Sequence, residues 1–203
     1  MEFWSDILTE KSWNVLLELK EKPFKFILIG GWAAYLWTKL HKSKDVDIIL
    51  FNMEDINYLK ENFNLKKNDN LKKYEISFDE IDVDIYVPYY SRLAIPPEDL
   101  KNYVTVIENI SVVVPEVLLI LKQGAELDRT ESVKGSKDRI DIMSLLCLSE
   151  IDFRGYNKLL SKYKLDHFRK RLQGIIRNFD DIKYLDLTPR QFKLKKKELM
   201  SKI

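Results

Sequence analysis

The sequence predicts an α+β protein, a mixed β-sheet with flanking helices followed by a C-terminal helical bundle. Three observations predict it. Residues 26–51 read as a strand, a Gly-Gly turn, a helix and a second strand. Two pairs of β-rich runs follow between residues 71 and 114, each pair split by a short polar turn. From Pro115 onward the apolar residues recur at helical rather than alternating spacing. The 203 residues suffice for one ample core, and the change of pattern near Pro115 divides the chain into residues 1–115 and a helical domain of residues 116–203.

Each element has its own local cause. Apolar residues at 8, 13, 16, 17 and 19 make an amphipathic helix that starts near Ser5 and Asp6 and is stopped by Pro23. Phe26-Ile-Leu-Ile29 is a short apolar run, read as a buried strand that Gly30 and Gly31 turn. Apolar positions 32, 33, 36, 37 and 40 make the next helix, residues 46–51 the next strand, and residues 54–62 another helix. Residues 71–78 and 81–87 form a hairpin about Asp79-Glu80. Pro96-Pro97-Glu98-Asp99 opens a short helix with Pro97 in its first turn. Residues 105–107 and 111–114 make a second hairpin about Glu108-Asn109-Ile110. Helices are then expected over 117–127, over 136–148 after a Gly-containing loop, from an Asp152 cap to about 163, over 165–179, and from Thr188-Pro189 to the Lys-rich end.

Composition narrows the class. With 45% apolar and 12% aromatic residues the chain is an ordinary folded protein. No apolar run approaches the roughly 20 residues of a membrane span. Acids near the N-terminus, where an export signal carries basic residues, make a cytoplasmic protein the expectation. The single cysteine, Cys147, excludes an internal disulfide and reads as a buried, inert thiol. Charge is unevenly spread. Residues 151–203 carry 15 Lys and Arg against 6 Asp and Glu, whereas the first 150 carry 19 against 26. A basic last quarter suggests an anionic partner, nucleic acid first, or else simply a solvated basic helical face.

The chemistry begins at Ser43-Lys-Asp45-Val-Asp47, at the entrance of the second strand. Side chains alternate along a strand, so Asp45 and Asp47 share one face while Val46 and Ile48 turn to the core. Two carboxylates on one face repel each other and are costly to bury, a cost that a divalent cation relieves. The competing reading is a pair of solvent-facing acids matched by lysines.

Gly-Gly, thirteen residues, then Asp-Val-Asp opening a strand resembles the signature of the nucleotidyltransferase superfamily, the fold of DNA polymerase beta. The resemblance implies a catalytic core in residues 1–115 with a third carboxylate on the strand at 81–87. That carboxylate would be Asp84, which leads into Ile-Tyr-Val as Asp47 leads into Ile-Ile-Leu, with Asp82 on the same face as the alternate. The three would hold two Mg2+ ions about 3.5–4 Å apart, one on the attacking oxygen and one on the triphosphate of an NTP such as ATP. Gly30 and Gly31 would let the backbone and a helix N-terminus approach phosphate, if they are more than a plain turn. Ser43 stands where the family carries a Ser or Thr near a terminal phosphate; alone it would read as a loop residue.

Lys122, Arg129 and Lys137-Asp138-Arg139-Ile-Asp141 resemble the pattern that follows the core in nucleotidyltransferase-like toxins of type IV toxin–antitoxin pairs (AbiEii-like). By that resemblance Lys122, Arg129, Lys137 and Asp138 belong to the nucleotide-binding set. The alternative has Asp138 and Asp141 favouring the start of their helix and clasping Arg129. His41 and His167 lack zinc-site spacing and read as surface or structural residues. Trp32, Trp37, Tyr89 and Tyr90 read as core or rim aromatics, with Tyr89-Tyr90 the better placed pair to stack a base. The expected protein is a Mg2+-dependent nucleotidyltransferase with RNA or tRNA as preferred acceptor and an antitoxin protein as a candidate partner. A small-molecule, antibiotic-type transferase and a non-catalytic RNA- or partner-binding module are the alternatives.

Overall fold

The computed structural model describes residues 3–203; the first two residues, on which part of the reading against an export signal rests, lie outside them. A seven-stranded mixed sheet forms the centre, in the order β3-β4-β5-β2-β1-β7-β6. Its strands are β1 (Phe26–Ile29), β2 (Val46–Leu50), β3 (Lys66–Asn68), β4 (Lys73–Phe78), β5 (Ile81–Tyr86), β6 (Val104–Ile107) and β7 (Ile110–Val113). β1 runs antiparallel to β2 and parallel to β7, and β2 runs parallel to β5. The fold is therefore α+β, as its sequence predicts.

The helices cover the sheet and then leave it. α1 (Asp6–Lys20) packs on β2 and β5, where Val46, Ile48, Val83 and Ile85 are fully buried. α2 (Gly30–Thr38) follows β1 without a break and packs on β1 and β2. α3 (Asp55–Asn62) and the single turn α4 (Pro97–Leu100) complete the first part. α5 (Pro115–Asp128) and α6 (Val133–Leu148) pack on each other and on α2, so the helical part is anchored directly above the Gly-Gly turn. α7 (Phe153–Lys162) and α8 (His167–Asn178) pack on α5, and α9 (Pro189–Lys202) on α8. Among the described residues no helix is long and apolar enough to cross a membrane.

Several boundaries differ from the sequence expectation, each for a local reason. α2 begins at Gly30 rather than Trp32, because Gly30 at φ +70° turns the chain straight from strand into helix. α6 begins at Val133 rather than Ser136, because Ser132 caps it by accepting from the Gly135 amide at 3.0 Å. β3 has no alternating apolar signal; it is an exposed edge strand held by its antiparallel partner β4. Glu108 and Asn109 both adopt positive φ in a two-residue turn, which draws Ile110 into β7. The Asp152 cap forms as expected, its side chain accepting from the Arg154 amide. Trp32 is fully buried and donates to Ser12, Trp37 donates to the Val113 carbonyl, and Tyr89 stands exposed. His41 is buried and structural, its Nε2 against the Tyr184 carbonyl. Cys147 is half-buried, and burial pushes its thiol up to about 11, so it stays protonated at neutral pH.

Candidate active site

The site is a row of charged side chains on one sheet face. β2 and β5 pair in parallel with Asp47 beside Asp84, and β5 and β4 pair antiparallel with Glu75 beside Asp84. Asp47, Asp84 and Glu75 therefore stand side by side across three strands, while Val46, Ile48, Val83 and Ile85 face the other way into the core. Asp45, two residues before Asp47, is just outside β2. Asp82, the alternate third carboxylate, is exposed and accepts from Ser77 at 3.1 Å, away from this row.

The two glycines are packed against the site. A Cβ on Gly30 would overlap Asp47 Oδ2 and lie 2.6 Å from its Cγ; one on Gly31 would overlap Ser43 Oγ and lie 2.8 Å from its Cβ. Gly30-Gly31 thus lets the Asp47 carboxylate and the buried Ser43 side chain lie against the first turn of α2, near its unpaired backbone N–H groups.

Lysines meet two of the carboxylates. Lys134, in the first turn of α6, reaches Asp45 Oδ2 at 2.9 Å with half its side chain in solvent. Lys73 on β4 is nearly buried and lies 2.6 Å from Asp84 Oδ2 and 3.0 Å from Glu75 Oε1. Among the described residues no hydrogen bond or ion pair closes on Asp47, and Asp45 Oδ1 is buried without a partner. Burial raises the Asp47 pKa, Lys122 works against that, and the Asp45 charge adds to it. Asp84 is pushed up to about 6 by burial and by the Asp47 charge, with Lys73 opposing. Tyr86, two residues past Asp84 on the same face, is raised well above its ordinary value by burial, then by Asp47 and Asp84.

The second constellation is a buried ion network. Lys122 lies 3.1 Å from Asp138 Oδ1 and 2.7 Å from Asp141 Oδ2. Arg129 Nε donates to Asp138 Oδ2 at 2.8 Å, and Lys137 pairs with Asp141. Lys122 keeps its proton far above neutral pH: burial works against it, but Asp141 and Asp138 overcome that. Lys137 and Asp138 are spent inside this network, while Lys122 and Arg129 also act electrostatically on Asp47. Arg129, just past the end of α5, is the member of the network with substantial solvent access.

Lys73, Glu75, Lys134 and Tyr86 were not singled out by sequence. A signal existed for Glu75, since a two-residue turn at Asp79-Glu80 pairs Phe78 with Ile81 and so Glu75 with Asp84. None existed for Lys134, which lies 89 residues from Asp45.

The donors suit a hard divalent cation: they are carboxylate oxygens, one of them buried and unpartnered and one carboxylate free of any ion pair. Among the described residues, however, no three His, Cys, Asp or Glu side chains converge closely enough to surround an ion, and Asp45 and Asp84 each give an oxygen to a lysine. Lys134 and Arg129, each paired with an aspartate, are 53% and 41% exposed.

No protein-family model matches this chain, and no curated protein matches it. Among solved structures it is similar to JHP933 from Helicobacter pylori, at 16% identity over 97% of this chain and 95% of that one, with a TM-score of 0.46. It is also similar to an antigenic nucleotidyltransferase-like protein from Paracoccidioides brasiliensis, at 17% identity over 70% and 76% of the two chains, with a TM-score of 0.42. Likenesses this distant say nothing of what this chain acts on; its own side chains must.

Proposed function

We propose that this chain is a Mg2+-dependent nucleotidyltransferase that moves a nucleoside monophosphate from an NTP to an acceptor hydroxyl. The observation that carries the reading is the placement of Asp47 beside Asp84 on parallel strands, with the buried, unpartnered oxygen of Asp45 next to them. In the reaction an acceptor oxygen bonds the α-phosphorus, the bond from that phosphorus to the β-phosphate oxygen breaks, pyrophosphate leaves with the electron pair, and the hydroxyl proton goes to solvent. Asp45 and Asp47, with Asp84 beside them, are the residues to hold divalent metal. Bound there, Mg2+ supplies positive charge to the triphosphate and to the developing charge of the transition state. Lys134 and Arg129, both solvent-accessible, are placed to meet phosphate oxygens. The Gly30-Gly31 turn would bring phosphate near the α2 N-terminus, beside the Asp47 carboxylate and the Ser43 side chain that pack against it. Lys122 sets the field at Asp47 from within its network.

RNA, with tRNA foremost, is the preferred acceptor. The basic C-terminal region exposes Lys164 on the turn after α7 and Lys170, Arg177, Arg190, Lys193 and Lys197 on its helices. A toxin-like enzyme held in check by an antitoxin protein is the biological form most in keeping with the Lys122–Asp138 pattern, a step taken by analogy. A small-molecule acceptor would call for a pocket of acids and aromatics at the aspartates. The cleft of about 510 Å3 lined by Glu10, Trp13, Trp32, Tyr35 and Glu108 has that composition but includes none of the three aspartates.

The test is incubation with each labelled NTP, Mg2+ and total RNA, beside Asp45→Ala and Asp47→Ala variants. Label should enter RNA with the native protein and with neither variant. Label on small molecules or on the protein itself would change the acceptor. No transfer to any acceptor, with RNA retained alike by all three proteins, would make the chain a binding module.

A further inference from the structure

We propose that Lys73 is a built-in counter-charge taking the place of a second metal ion at Asp84, so that the site works with one divalent cation, on Asp45 and Asp47. The inference rests on the nucleotidyltransferase reading above and concerns how that site is charged.

The two lysines at the site differ in kind. Lys134 approaches Asp45 from the first turn of α6 with 53% of its side chain in solvent. Such a pair is weak and screened by salt, so a divalent cation or a triphosphate displaces it at little cost. Lys73 has only 11% of its side chain exposed, and two carboxylates, Asp84 at 2.6 Å and Glu75 at 3.0 Å, hold its ammonium. The β4–β5 register fixes this geometry, because Lys73 and Glu75 share a face and Glu75 pairs with Asp84. Expelling the ammonium would leave the largely desolvated Asp84 carboxylate uncompensated beside Glu75, which is the expensive way to break a buried pair.

Access and charge agree with that asymmetry. Asp45 keeps one oxygen buried and unpartnered and gives the other only to the half-exposed Lys134, and Asp47 has no ion pair among the described residues, so these two have no buried counter-charge in direct contact. Asp84 already has one. Lys73 supplies at Asp84 the positive charge that a second ion would otherwise supply. Lys73 then acts as a positioning residue: it holds the Asp84 carboxylate in place beside Asp47, and presents a fixed positive charge on the face where phosphate is handled.

Counting bound ions tests this. Mn2+ is titrated into the full chain with the α,β-methylene analogues of ATP, GTP, CTP and UTP in turn, and bound Mn2+ is followed by electron paramagnetic resonance. The native protein should bind one Mn2+ per chain with an uncoupled signal. Lys73→Met should bind two, spin-coupled, and Lys73→Arg one. Two coupled ions on the native protein would overturn the proposal and leave the transferase reading standing. So would a single ion on a Lys73→Met variant with native circular dichroism, which would show that Asp84 is no metal ligand even when freed. If Lys73→Met does not fold, the native count alone decides. No Mn2+ and no analogue bound by the native protein would overturn the transferase reading and this proposal with it.

Discussion

Gly30 couples backbone geometry to the chemistry of Asp47. Its φ of +70° disfavours any side chain, and a Cβ there would overlap the Asp47 carboxylate. Gly30→Ala should therefore lower stability by roughly 1–2 kcal/mol from the backbone alone and also displace Asp47. Thermal unfolding and Mn2+ titration read the two effects separately; a variant with native melting and native Mn2+ affinity would contradict this packing. Asp84 gives a pH prediction. Its folded pKa of about 6 lies above the ordinary carboxylate value of 3.8, so between those two values the folded chain holds a proton that the unfolded chain has released. Stability should thus fall as pH rises from about 4 to about 6, by at most about 3 kcal/mol from this group. Asp84→Asn should flatten that stretch of the stability curve, as chemical denaturation at stepped pH would show.

At the scale of elements, α5 and α6 are joined by ions rather than by apolar contact alone. Asp138 is 1% exposed and receives both Lys122 and Arg129. Removing it leaves two cations facing each other with less compensation, and Asp138→Ala should cost about 3–5 kcal/mol in urea unfolding. A loss below about 1 kcal/mol would mean that water takes over the role of the carboxylate. Arg139 and Arg171 likewise meet the buried Glu126, each at 3.0 Å or less, tying α5 to α6 and to α8. The sequence pattern Lys122, Arg129, Lys137, Asp138 thus marks a structural clasp as well as a set of charges near Asp47. The β4–β5 hairpin is the second informative element, since its two-residue turn determines which side chains stand beside Asp84.

Over the whole molecule, charge is segregated by position in the chain. Acidic residues predominate in the first 150 residues and basic ones in the last 53, and several of those cations are already engaged: Arg171 with Glu126, Lys195 and Lys202 with Glu198. Arg190, Lys193 and Lys197 remain exposed along α9. On the proposed RNA reading, retention of RNA should fall steeply with salt, and replacing these three by Ala should flatten the log–log salt dependence by about 2. Filter binding across a salt series measures this; an unchanged slope would place any RNA elsewhere on the molecule.

The sequence by itself determined the order of strands and helices apart from β3, the place of Asp45 and Asp47 at the start of β2, the strand-to-helix turn at Gly30-Gly31 and the changes of element at Pro23 and Pro115. These follow from spacing, caps and turn residues, which act over a few positions. That Asp84, rather than Asp82, pairs directly with Asp47 required the parallel register of β2 with β5, strands separated by a helix and a hairpin. The lysine on each carboxylate, and the burial of Lys137 and Asp138 in a clasp, likewise required tertiary packing. Alternation says which side chains share a face, but which strand lies next to which, and which distant cation folds over it, is set by burying the sheet under helices contributed by the far end of the chain.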